Sequence, residues 1–154
     1  MRQKRVFLIM MAGMACMLLV SCSDKKTDGK ADGWIHYGTS TDGSQRHYDK
    51  QSITTVSPKV VKVWDRTKLS TDARNKVIEQ RKKSQLPTDG WEKLDTVRLL
   101  REMDCANHTY KIVRVEDYHE NGKILYEADY PNPKGEAVPP GTTIESLLKE
   151  VCPK

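Results

Sequence analysis

One uninterrupted apolar run, Val6 to Val20, constrains this chain more than any other feature. It is 15 residues long and follows a basic head carrying Arg2, Lys4 and Arg5. A helix that spans a bilayer needs about 20 apolar residues, so the run suits the core of a secretory signal peptide better than a membrane span. No second run of this length follows, which excludes a polytopic membrane protein.

The run ends in Leu19-Val20-Ser21-Cys22. Two apolar residues and a small one before cysteine resemble a bacterial lipobox. Signals of that kind are cut before the cysteine, whose thiol carries a diacylglycerol. Residues 1–21 are therefore expected to be a lipoprotein signal peptide and Cys22 the lipidation site, with an uncleaved anchor or an ordinary secretory signal as alternatives. Acyl chains contribute about 0.8 kcal/mol per buried CH₂, so a multiply acylated Cys22 would hold the protein stably on a membrane. Ser23 follows where an aspartate would mark inner-membrane retention, and by resemblance to enterobacterial sorting the address is the outer membrane. The next segment, Ser23 to Asp32, holds a single small apolar residue. Residues 22–32 thus read as lipidated cysteine plus flexible tether, with a root-mean-square span of ~18 Å.

The precursor carries a net charge of +5, but removing residues 1–21 takes three basic residues with it and leaves +2. A global nucleic-acid-binding reading loses its main support. Charge is nonetheless uneven. Lys59 to Lys83 holds nine basic and three acidic residues, and Glu116 to Glu136 holds six acidic and two basic. Solvated faces explain such segments by default. The functional alternative is a partner-binding patch of Arg66, Lys68, Arg74, Lys76, Arg81, Lys82 and Lys83. Such a patch would attract a sulfated glycan, an anionic headgroup or an acidic protein.

Of the four cysteines, Cys16 leaves with the signal and Cys22 is lipidated, so Cys105 and Cys152 remain in a compartment that permits disulfides. A structural bond between them is favoured over a metal or redox site, since no Cys-x-x-Cys is present. His36, His47, His108 and His119 share no ligand spacing, although two of them can meet across neighbouring strands. There is no Gly-x-Ser-x-Gly, phosphate-binding loop or His-Glu-x-x-His, and no cofactor fingerprint. The carboxylates Asp104, Glu116, Asp117 and Glu120 suit the wet side of a sheet. The expectation is a non-enzymatic protein with no metal and no cofactor.

Residues 33–154 should form one α+β domain. Strands are expected at Trp34–Tyr37, Arg46–Asp49, Lys59–Asp65, Leu94–Cys105, Thr109–Tyr118 and Lys123–Asp129, in an antiparallel sheet of about six strands. Val61 and Val63 share a face; Val97, Leu99, Met103 and Cys105 share another, interrupted by Arg101. The parity change between Ile112 and Val113 predicts a bulge. Asn121-Gly122 predicts a type I′ hairpin turn. Trp64 is expected in the core. A helix over Ser70–Lys83, with a thin apolar stripe of Ala73, Val77 and Ile78, should pack at an edge. Pro131–Gly141 is an extended connection. Thr142 and Glu145 then form a capping box for a C-terminal helix. Its stripe of Ile144, Leu147, Leu148 and Val151 must bury against one face of the sheet, with Cys152 on the same side.

In order along the chain, Trp34-Ile35-His36-Tyr37, Tyr48-Asp49 with Ile53, Val60 to Trp64, Asp104-Cys105, Tyr110, Tyr118 with Asn121-Gly122, Pro140-Gly141 and Val151-Cys152-Pro153 resemble the surface-adhesin protein E family of Gram-negative lipoproteins. Arg66 to Trp91 reads as an insertion relative to that pattern, and Glu136-Ala137-Val138 stands where an aromatic residue is expected. The resemblance implies the same sheet-and-helix fold, a Cys105–Cys152 disulfide and a homodimer. Named members bind host extracellular-matrix proteins. The function expected is that of an adhesin-like binding module on the outer membrane, for a protein or anionic polymer. A periplasm-facing structural or envelope-accessory lipoprotein, whose partner is another envelope protein or peptidoglycan, is the alternative.

Overall fold

The computed structural model describes residues 33–152. The expected signal peptide, Cys22 and the tether lie outside them. The described chain is an α+β fold built on one antiparallel sheet.

Strand β4 (Val60–Lys68) sets the two sides of this sheet, because burial alternates along it residue by residue. Val61, Val63, Asp65 and Thr67 point inward, and Lys62, Trp64 and Arg66 point outward, as a period of two requires. Strand β5 (Leu94–Asp104) pairs from Thr96 to Asp104 with β4 and from end to end with β6 (Thr109–His119). The full order is β1 (Trp34–Thr39), β2 (Gln45–Asp49), β4, β5, β6 and β7 (Ile124–Asp129).

Two short strands complete the edges. Strand β3 (Thr54–Ser57) occupies the same side of β4 as β2, but at the opposite end. The gap between them is spanned by Ser52, whose hydroxyl donates to the Asp49 carbonyl and accepts from the Trp64 amide. All four β3 residues are exposed, so no alternation announces it in the sequence. Likewise, β8 (Glu136–Ala137) adds to the end of β6 inside the segment expected to be merely extended.

The bulge falls where parity changed. Leu100 faces Arg114 and Arg101 faces Ile112, which leaves Val113 as the extra residue. The β6–β7 turn differs from expectation. Gly122 alone is left-handed, at φ 83°, and its amide donates to the His119 carbonyl. The extra residue before Lys123 makes this a three-residue loop rather than the two-residue type I′ form.

Helix α1 (Thr71–Lys83) is capped by the Ser70 hydroxyl, which accepts from the Ala73 amide. Helix α2 (Thr143–Val151) starts at Thr142, whose hydroxyl accepts from the Glu145 amide. Glu145 reaches back one residue further than a standard box and accepts from Gly141. Leu147, Leu148 and Val151 bury against Tyr48, Val61, Val63 and Met103. The start of the helix lies so close to the β1 bulge that a Cβ on Gly38 would sit 3.2 Å from Thr143. A disulfide between Cys105 and Cys152, with Cα atoms 5.7 Å apart, ties the other end of α2 to the end of β5. Among the described residues no helix is long and apolar enough to cross a membrane.

Candidate binding face

The side of the sheet opposite α2 carries a ladder of large polar and aromatic side chains. Its central rung runs across six strands: His36 faces His47, His47 faces Arg66, Arg66 faces Arg98, Arg98 faces Glu116, and Glu116 faces Glu127. Directly opposed side chains stand close enough to touch. The His36 and His47 rings meet edge to face at 5.2 Å.

Arg98 is the hub. Its guanidinium carbon lies 4.8 Å from the Trp64 ring, 5.4 Å from Trp34 and 5.6 Å from Tyr118. Arg66 covers Trp34 from a second direction, at 4.5 Å. Such cation–π contacts are worth about 0.5–1 kcal/mol where water reaches them and more where it does not. Arg98 also donates to the Tyr118 hydroxyl at 3.2 Å, which donates in turn to Glu116 at 2.7 Å. Burial would raise the Glu116 carboxyl, but hydrogen bonds from Tyr118 and Arg114, with the nearby charge of Arg98, hold it below the usual carboxylate range. Trp64 therefore belongs to this face and not to the core. Its parity opposes Val63, and the stacked guanidinium, not the interior, covers its ring.

Charges of both signs are interleaved here. Lys68 pairs with Asp95 at 2.6 Å; Lys62 and Lys111 flank Glu102; Arg114 spans Glu116, Glu127 and Asp129. Two shallow depressions, of about 430 and 210 Å³, adjoin at Asp95 and Thr96 and run from Gln45 and His47 to Arg98 and Tyr118.

The seven basic residues proposed from sequence are divided by the fold. Arg66 and Lys68 lie on this face. The others belong to α1, which packs toward the inward side. There Arg74 donates to the Leu94 carbonyl and Arg81 stacks 3.6 Å over Trp91, while Lys76, Lys82 and Lys83 are exposed. Among the described residues no group of three histidines, cysteines or carboxylates is placed to hold a metal. What sequence reasoning missed was the convergence of Trp34, Trp64, Arg98, Tyr118 and Glu116. Each one's side of the sheet follows from parity, but their meeting depends on strand register.

A family model described as surface-adhesin protein E matches residues 34–153. No curated protein matches the chain. Among solved structures the chain is similar to Haemophilus influenzae protein E, at 20% identity over 77% of this chain and 83% of that one, with a TM-score of 0.46. It is also similar to protein E from non-typeable Haemophilus influenzae, at 17% identity over 80% and 76% of the two chains, with a TM-score of 0.46.

Proposed function

Since the chain belongs to the surface-adhesin protein E family, we propose that it is a lipid-anchored, adhesin-like binding module of the cell envelope that engages a protein partner through the outward sheet face. Cys22 would carry the anchor, and residues 23–32 would lift the domain from the headgroups; the basic head, apolar run and Leu-Val-Ser-Cys support both. The outward side of the outer membrane is the orientation an adhesin needs. Nothing in the reading calls for catalysis.

The observation that carries the site is the stack of Arg66 and Arg98 on Trp34 and Trp64. Tryptophan, tyrosine and arginine dominate binding energy at protein interfaces, and here they are held in place before any partner arrives. The interleaved charges favour a protein surface of mixed sign over a sulfated polymer, because Lys62, Lys68 and Arg98 already have carboxylate neighbours.

Binding to immobilised basement-membrane matrix and to heparin, measured as salt rises, tests this reading. Matrix binding that falls at least tenfold in Trp34→Ala and Arg98→Ala is expected. Salt-sensitive heparin binding that survives both substitutions would replace the protein partner with an anionic polymer. Digestion of the domain by protease on intact cells is expected; protection would favour the periplasm-facing role.

A further inference from the structure

Helix α2 does not cover the whole inward side of the sheet. It closes over Tyr48, Val61, Val63 and Met103. Leu99 on β5 and Ile112 and Val115 on β6 face the same way, since Leu99 opposes Val115 and Ile112 opposes Arg101, yet they stay only half-buried. These three form the floor of a cavity of about 290 Å³. One wall comes from the connection between β7 and β8. The Tyr130 amide holds that connection to the Val113 carbonyl, at the bulge, and Glu136 pairs with Tyr110 where β8 begins. Between those two points Tyr130, Pro133 and Lys134 line the cavity.

Two exposed residues, Lys134 and Glu136, give the lining one charge of each sign. Lys134 has no ion-pair or hydrogen-bond partner among the described residues. The Glu136 carboxylate accepts from the Tyr110 hydroxyl at 2.7 Å and has no cation beside it among the described residues. Arg101 and Asp117, on the same side of these strands, do not line the cavity. Arg101 is bonded to Asp65 at 2.7 Å, and Asp117, whose carboxyl burial pushes up to about 6, faces Val97 and Tyr126.

An apolar body would displace water from Leu99, Ile112 and Val115. A carboxylate head alone would meet the charge of Glu136, and an ammonium head alone would meet that of Lys134. A head that carries both charges satisfies both residues. The volume lies at the small end for ligand sites, which suits a residue-sized body better than a long acyl chain. We propose that this cavity binds a free α-amino acid with an aliphatic or aromatic side chain, its carboxylate on Lys134 and its ammonium on Glu136. The site lies on the opposite side of the sheet from Trp34 and Arg98, so it is separate from the binding face.

Titration of the full chain with L-leucine and L-phenylalanine, followed by calorimetry and by amide chemical shifts, tests this. Saturable binding of one molecule is expected, with shifts clustered at Leu99, Ile112, Val115 and residues 130–136 and absent from Trp34 and Arg66. N-acetyl-leucine, leucinamide and octanoate, each lacking one of the two charges, should bind about tenfold more weakly or worse. Lys134→Met and Glu136→Gln should weaken leucine by a similar factor; both sites are exposed, and the glutamine keeps an acceptor for Tyr110. No saturable binding of either amino acid, octanoate binding as tight as leucine, shifts centred on the Trp34 side, or affinity unchanged in both variants would each overturn the proposal.

Discussion

Asp65 and Arg101 bind each other at 2.7 Å in the interior of the sheet, Oδ1 to Nε, and Asp65 has no exposed surface at all. They are diagonal neighbours, since Arg101 faces Val63 while Asp65 faces Leu99. The Tyr37 hydroxyl donates to the second carboxylate oxygen at 3.0 Å, and burial together with the Asp65 charge holds that phenol protonated well above its usual range. Arg101 lies at the one inward position where β5 breaks its apolar pattern. The break marks an ion pair that joins β4, β5 and β1 through the core.

Removing either partner should cost far more than removing both. Arg101→Met leaves an uncompensated carboxylate in the interior and is expected to destabilise the fold by about 3–5 kcal/mol. Adding Asp65→Leu to it should recover much of that loss, because the remaining charge disappears with its partner. Urea unfolding of the single and double variants measures the coupling. Additive losses would mean that the pair is not the unit it looks like.

The disulfide should matter most for α2. It closes a sequence separation of 47 residues, for which the chain-entropy relation gives about 4 kcal/mol. Cys152→Ser is expected to lower stability by up to that amount. Without the bond only Leu147, Leu148 and Val151 hold the helix, while β5 keeps its ladders to two neighbouring strands, so the helix should detach before the sheet unfolds. Hydrogen exchange under reducing conditions, with α2 amides losing protection before those of β5, would demonstrate the order.

Much of this arrangement was legible because burial on one side of a sheet writes a period of two into the chain. β4 and β5 carry that period, and α2 carries its own cap and stripe. Where burial is uniform the signal vanishes, as in β3, whose identity depends on an edge of β4 left unpaired by β2. Trp64 shows a different limit. It is expected in the core, yet its parity opposes that of Val61 and Val63 and assigns it to the other side, where Arg98 covers it. Residues close in sequence can also be parted by the fold. Arg66 and Arg81 belong to one basic segment but stack on Trp34 and Trp91, on opposite sides of the sheet.

The end of α1 carries a conformational cost that one substitution should relieve. The amide of Leu86 donates to the Arg81 carbonyl and that of Gln85 to the Lys82 carbonyl, a Schellman closure that puts Gln85 at φ 56°. Glycine is the usual residue there because a Cβ is strained in the left-handed region. Gln85→Gly is therefore expected to stabilise the protein by up to about 1 kcal/mol. The opposite change, Gly122→Ala at φ 83°, should destabilise it by a similar amount despite open space around that residue. Thermal unfolding of both variants at one pH reads the two signs.

Asp117 should set the pH dependence of stability in the direction opposite to a salt-bridged carboxylate. Its folded value of about 6 lies above the 3.8 it takes when unfolded, so the folded chain holds the proton more tightly. Below pH 3.8 the group is neutral in both states and costs nothing. As pH rises from there through 6, folding has to retain a proton that the unfolded chain releases, and stability falls. Above 6 the whole penalty is present, at most about 3 kcal/mol at 1.36 kcal/mol per pH unit. Asp117→Asn keeps the shape and removes the charge. It should therefore be more stable than the unsubstituted chain at pH 7.5, with the difference closing as pH falls toward 4. Denaturant midpoints measured across that range carry the sign, and an asparagine variant less stable at pH 7.5 would mean that the carboxylate has a favourable partner in solution.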